Sequence, residues 1–220
     1  MELEIYPSKR ILFSISGGTD SAILLYLTCK YITENNLTDV EITPWTVVDI
    51  HRPGNDIIVK NILSIITQLY PNIVFRPWLL DHIDVEMNNP SSKLSLMREL
   101  NRQQFITGTY DTLMFALTNS PPVKLSAPLE TSENRNPNTV KSEKEYLPEY
   151  KVTLYGPFVN LNKKDIAHLY EKYSLMDNLF PLTQSCIGLP HETDNGTKPC
   201  KQCFWCLEKF WAFGRYDFNQ

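Results

Sequence analysis

Two stretches of this chain carry residues whose types and spacing could do chemistry. In SISGGTDSAILLYL, residues 14–27, Ser16, Gly17, Gly18, Thr19, Asp20 and Ser21 interrupt an otherwise apolar run. Glycines let a backbone approach an anion without a Cβ in the way, and the Ser16 and Ser21 hydroxyls add donors that a phosphate oxygen accepts. Asp20 would repel a phosphate, so it reads as a helix N-cap, as a ligand for Mg²⁺ bridging to phosphates, or as both. The second stretch holds Cys186, Cys200, Cys203 and Cys206, spaced C-x13-C-x2-C-x2-C. Four thiolates from one compact segment suit a closed tetrahedral Zn²⁺ site, and four cysteines also suit an iron–sulfur cluster. Cys29, inside an apolar pattern, reads as a small core residue.

The elements that would position these groups alternate. RILFSIS reads as a strand and 20–35 as a helix, which places the polar loop at a strand-to-helix turn, where unpaired amides and the helix dipole both favour an anion. VEITPWTVVDI (40–50) reads as a second strand. In the helix after it, Ile58, Ile62, Ile65, Ile66 and Leu69 share a face and Asn55 or Asp56 caps. NIVFRPWLL (72–80) and QFITGTY (104–110) read as further strands around a helix near 94–102, and KVTLYGPFV as the last strand, before a helix capped by Asn162. Residues 120–150 turn to Pro, Ser, Asn, Glu and Lys with little periodicity, an irregular insert that would be mobile or a lid. The expected fold is α/β and Rossmann-like, a mostly parallel five-stranded sheet with helices on both faces over 1–180 and a small cysteine-bearing segment and helix over 181–220. In CFWCLEKFWAFGR, Phe204, Leu207, Phe210 and Trp211 would pack that last helix onto the core.

Composition sets the class. The chain has 220 residues, 42% of them hydrophobic, and a formal net charge of −4 with acids and bases interspersed. No basic stripe points to a stable nucleic-acid partner and no polybasic tail to an anionic membrane. The opening residues carry acids and only a short apolar run, Ile11 to Ile15, so a cytoplasmic protein is expected, in which clustered cysteines hold metal rather than disulfides. Neither G-x-x-x-x-G-K-[ST] nor G-x-G-x-x-G occurs, which removes Walker-type and dinucleotide chemistry. The histidines, His51, His82, His168 and His191, are scattered and form no hydrolytic triad.

The stretch S-G-G-T-D-S after a first strand resembles the S-G-G-x-D-S pyrophosphate loop of the PP-loop ATP pyrophosphatase superfamily. That resemblance implies cleavage of ATP between its α and β phosphates, with Ser16, Gly17, Gly18, Asp20 and Ser21 at the pyrophosphate and Mg²⁺ and Thr19 at the variable position. By strand order it places adenosine at the ends of the second and fourth strands, near Val48 and Gly108. Joined to S-C…C-x-x-C-x-x-C near the end of the chain, the loop is similar to that of the 7-cyano-7-deazaguanine synthase family, and NLNKKDI resembles that family's Leu-Asp-Lys-x-Glu stretch, with Leu161, Asn162, Lys163 and Asp165 in register. The family reaction would adenylate 7-carboxy-7-deazaguanine and use ammonia to form an amide and then a nitrile, with ATP, Mg²⁺ and Zn²⁺ as cofactors and Asp20 and Lys163 as catalytic groups. Family members are often homodimers. Two lysines at a helix N-terminus oppose its dipole, so a nearby anion would relieve the mismatch. The middle departs from the family, since GTYDTLMFALTNSPP keeps only Gly108, Tyr110 and Asp111 of its deazaguanine-binding run, and the spacing from Cys186 to Cys200 is longer than usual. A relative that stops at the amide or activates another acid, a tRNA sulfurtransferase and a non-catalytic nucleotide sensor are the competing expectations.

Overall fold

The computed structural model describes residues 8–51, 54–85, 90–125, 135–188, 191–194 and 196–217. The start of the chain and the middle of the insert lie outside the described residues.

Strand β1 (Arg10–Ser14) is flanked on both sides, by β2 (Glu41–Asp49) and β5 (Thr112–Met114), both parallel to it. A strand covered on both faces reads as a continuous apolar run, which is why Ile11, Leu12 and Phe13 follow one another. Their alternation feeds two cores. Ile11, Phe13 and Ile15 pack with α1 (Thr19–Glu34), α2 (Asn55–Leu69) and α4 (Lys163–Lys172). Leu12 joins Trp45, Leu113 and Val152 under Phe105 of α3 (Pro90–Thr107) on the other face. Helices therefore cover both faces of a mostly parallel sheet.

The sheet has seven strands rather than five. The order is β3-β2-β1-β5-β7-β6, with β4 also on β2. The run 72–80 is split: β3 (Val74–Phe75) and β4 (Leu79–Ile83) pair with successive parts of β2. Pro77, with no N–H to donate, stands at the break. The stretch 104–110 is not a strand. Residues up to Thr107 finish α3, Gly108 N–H bonds to Gln104 O at 2.8 Å, and β5 starts later. The insert is not wholly irregular. It contributes β6 (Lys144–Leu147), an antiparallel edge strand on β7 (Val152–Tyr155).

Local chemistry explains the helix starts. Asn162 forms a capping box with Asp165 at the head of α4. Asp20 is not the cap of α1; Gly18 holds that position and Asp20 sits in the first turn. Likewise Gly54, with φ 111°, precedes α2 rather than Asn55 or Asp56. On α2 the buried residues are Val59, Ile62 and Ile66, while Leu69 stays exposed. On α5 (Phe204–Phe213) the buried set is Phe204, Cys206, Glu208 and Lys209, and Phe210 lies outward, stacked on Tyr216. The expected apolar face of α5 is thus rotated, because the helix buries two charges. No helix among the described residues is long and apolar enough to cross a membrane.

Candidate functional site

The chain leaves β1, turns through Ser16–Gly18 and enters α1 at the carboxyl end of the sheet. On one side of β1 the next strand in sequence, β2, is its neighbour; on the other lies β5, reached only after two further crossovers. This switch of direction opens the crevice in which α/β sheets bind ligands.

Gly17 has φ 83°, and a Cβ there would meet Ile58 Cγ2 at 2.9 Å, so the turn and its packing on α2 require glycine. Gly18 differs. A Cβ on it would make only ordinary contacts, with Ser16 Oγ at 3.6 Å and Gln184 O at 3.9 Å, so packing does not require glycine there. Ser16 is exposed and Ser21 buried, their hydroxyls 3.2 Å apart, and Ser21 Oγ accepts from the Ser16 N–H. The first intrahelical bond that crosses into the turn runs from Ala22 N to Gly18 O. The amides of Thr19, Asp20 and Ser21 precede it, as first-turn donors do. Thr19 faces inward, fully buried, its carbonyl accepting from the Tyr170 hydroxyl at 2.9 Å.

Lys163, at the start of α4, is buried and places Nζ 2.7 Å from both Asp20 carboxylate oxygens. The anion expected near this lysine pair is, in the protein itself, Asp20. Lys164 lies instead over the Trp211 ring. Thr118, after β5, donates to Asp20 Oδ2 at 3.3 Å and closes the crevice from the other side.

Behind Lys163 lies a set of residues that the sequence did not single out. Arg135, from the insert, is buried and donates to Thr118 O at 2.8 Å, to Asn119 O at 3.2 Å and to Glu208 Oε1 at 2.5 Å. Its guanidinium stands over Trp205. Glu208 is fully buried, and its Oε2 is 3.9 Å from Lys163 Nζ. Burial pushes the Glu208 carboxyl up, against the pull of Lys163 and Arg135. Charges of alternating sign thus run from Asp20 through Lys163 and Glu208 to Arg135. The polar trio Thr118-Asn119-Ser120 directly after an apolar run was a readable signal of a strand's carboxyl end; nothing local marks Arg135 or Glu208.

The cysteine sulfurs of Cys186, Cys200, Cys203 and Cys206 all lie within 4.8 Å of one another. Cys186 Sγ accepts from the amides of Gly188 and Cys200, and Cys200 Sγ from that of Cys203. Crowding divides the thiols. Donation to Cys203 holds Cys186 up at about 12, and Cys203, receiving hydrogen bonds from Cys186 and Cys206, is pulled far down. Four thiolates in this space need a cation. Cys29 is apart from them, buried in the core, where burial raises its thiol.

This segment touches the loop. Gln184 N–H donates to Gly17 O at 2.9 Å, and Asp217 accepts from the amides of Ser185 and Cys186 while pairing with the buried Lys209 at 2.5 Å.

The structure therefore brings together Ser16, Gly17, Gly18, Thr19, Asp20, Ser21 and Lys163, and the cysteine segment reaches them through Gln184. Val48 lies at the carboxyl end of β2, buried, paired with His82. Gly108 does not join the site. It follows α3 at the amino end of the sheet, in a cavity of about 430 Å³ with Arg10, Glu41 and Arg76. Asp111 belongs to that end as well, where it accepts from the Lys9 and Arg10 amides and the Arg10 guanidinium. A first-turn amide set, the exposed Ser16 hydroxyl and a partly exposed carboxylate next to an ammonium fit a phosphate group with a hard divalent cation.

No protein-family model and no curated protein sequence matches the chain. Among solved structures it is similar to the U34-tRNA thiolase NcsA from Methanococcus maripaludis with its [4Fe-4S] cluster, at 18% identity and a TM-score of 0.35. The match covers 48% of this chain and 37% of that one.

Proposed function

We propose that the chain is an ATP-dependent C–N ligase of the 7-cyano-7-deazaguanine synthase type, built on a PP-loop. It adenylates the carboxylate of 7-carboxy-7-deazaguanine and admits ammonia to give the amide. A second ATP activates the amide oxygen, whose departure leaves the nitrile; each step releases AMP and pyrophosphate.

One observation carries this reading. The three sequence features on which it rests, far apart in the chain, meet in space: Lys163 Nζ sits 2.7 Å from Asp20, and Gln184, two residues before Cys186, bonds to Gly17 of the loop. In this reading the amides of the first turn and the Ser16 hydroxyl hold the pyrophosphate half of ATP. Mg²⁺, when bound, would offset the charge that builds as the α–β bond breaks, and Asp20 is the carboxylate to hold it. Lys163 supplies a positive charge beside the same phosphates. The buried Tyr170 hydroxyl holds the Thr19 carbonyl and so the pitch of the loop.

For the cysteines zinc is the ion we assign. Tetrahedral Zn–S bonds of about 2.3 Å place sulfurs about 3.8 Å apart. Cys200 and Cys206 Sγ are 3.9 Å apart. The metal would fix the segment that touches the loop and leaves α5 to carry Glu208 inward.

Incubation with ATP, Mg²⁺, ammonium and 7-carboxy-7-deazaguanine, followed by mass analysis, tests the assignment. The nitrile is expected. The amide as end product would reassign the chain to a ligase that stops one step earlier, and an unchanged acid would reject this substrate.

A further inference from the structure

In the alternating chain of charges two buried atoms lack a hydrogen-bond partner, the donor Arg135 Nη1 and one acceptor. Glu208 Oε2 is buried and has no hydrogen-bond partner, although its twin oxygen is held by Arg135. A buried carboxylate oxygen left unmade is costly, and a half-satisfied polar network is the expensive kind. Its near neighbour is Lys163 Nζ at 3.9 Å, about 1 Å beyond a normal hydrogen bond. Lys163 is held away by Asp20, on which it makes both of its 2.7 Å contacts.

Asp20 is the more exposed of the two acids, 15% against 0% for Glu208. A divalent cation reaching the loop meets Asp20, and it meets an ammonium already on both oxygens. Like charges this close repel strongly in a partly dry site. Thr118 and Thr19 also contact the Asp20 oxygens, but they are neutral and can stay.

Resting on the reading that Mg²⁺ and ATP bind at the loop, we propose that Glu208 is the alternate counter-ion of Lys163. When Asp20 turns to the metal, Lys163 closes onto Glu208 Oε2, and the buried orphan gains its partner in the same movement. Glu208 is then a positioning residue: it touches neither metal nor nucleotide, and it makes the site convertible between a self-paired state and a cation-ready one. Total charge within the quartet stays constant, because the ammonium passes from one carboxylate to the other without a proton changing place. Helix α5 begins immediately after Cys203, so the cysteine site holds Glu208 where Lys163 can reach it.

The test is equilibrium binding of ATP to the full chain with Mg²⁺ and with EDTA, for the native protein and for Glu208→Gln. The amide keeps the side chain's shape and an acceptor for Arg135 but not the charge. The native protein is expected to bind ATP at least about 10-fold more tightly with Mg²⁺, and Glu208→Gln to lose most of that gain while its affinity in EDTA stays within about 2-fold. An unchanged Mg²⁺ gain in Glu208→Gln overturns the relay and leaves the nucleotide site intact. Absence of Mg²⁺-ATP binding by the native protein overturns the reading beneath it. If Glu208→Gln does not fold, a structure of the native protein with Mg²⁺ and a non-hydrolysable ATP analogue decides: Lys163 Nζ at about 3 Å from Glu208 Oε2 supports the relay, and Lys163 still on both Asp20 oxygens refutes it.

Discussion

The Lys163 ammonium and the Asp20 carboxylate meet at 2.7 Å although 143 residues separate them in the chain. The pair ties the turn after the first strand to the helix after the last, across the crevice where the sheet changes direction. Both side chains are largely shielded from water, and a pair of this kind is strong when complete and damaging when broken.

Asp20→Asn should still separate chemistry from folding, because Glu208 Oε2, 3.9 Å from Lys163 Nζ, remains as a counter-ion for the lysine. The amide keeps a hydrogen bond to Lys163 but loses the charge that a divalent cation needs. AMP formation should fall by about 100-fold or more. The melting temperature should drop by only a few degrees, with unchanged circular dichroism. Undiminished turnover would remove Asp20 from the metal site.

The two glycines of the loop should respond differently to alanine. Gly17→Ala forces a side chain into φ 83° and against Ile58, at a cost of about 1–3 kcal/mol in urea unfolding. Gly18→Ala meets no such obstacle and should cost less than about 1 kcal/mol. Its methyl would sit in contact with Ser16 Oγ and Gln184 O, adding bulk beside the proposed phosphate donors, so ATP affinity is what it should lower. Equal stability losses would mean that Gly18 is structural as well.

Metal analysis should return about one zinc and no iron per chain. Cys203→Ser or a strong chelator should lower the melting temperature and, because Gln184 bonds to Gly17, weaken ATP binding too. Loss of metal with ATP affinity unchanged would confine the cysteines to holding the tail.

At the opposite end of the sheet, Asp111 gives a pH-dependent contribution. Burial alone would raise its carboxyl, but hydrogen bonds from Arg10 and from the Lys9 and Arg10 amides outweigh it and hold it below the ordinary range. A depressed acid stabilises above its unfolded value, near 3.9, and loses that contribution as pH falls through the folded value. Asp111→Asn should cost on the order of 1 kcal/mol at pH 7, and the gap to the native protein should narrow below about pH 4. A gap that stays constant with pH would mean that the charge is not what matters.

Much of this arrangement was legible in the residues. The loop, the Asn162 cap and the cysteine cluster announce themselves because each is a local pattern with a local cause. What was not legible is long-range. Arg135 lies in a stretch of polar, proline-containing sequence with no periodicity, and only its burial against Glu208 gives it a role. The face of α5 was misread because its centre, Glu208 and Lys209, is charged, and helical patterning assumes that charges face water. Residues 104–110 were misread because β-branched and aromatic side chains also end an amphipathic helix, here with Phe105 in the core. That shift moved Gly108 to the wrong end of the sheet and left Thr118 to Ser120 after β5, at the carboxyl end.

The central claim is that the loop grips the pyrophosphate half of ATP while the α–β bond breaks. Incubation with Mg²⁺-ATP labelled in the α and γ phosphates, with ammonium and 7-carboxy-7-deazaguanine present or withheld, tests it directly. The account predicts α-label in AMP and γ-label in pyrophosphate, in equal amounts and only when the acid is present. ADP with free phosphate, or intact ATP with the acid and ammonium present in a protein shown to be folded and zinc-loaded, would contradict it.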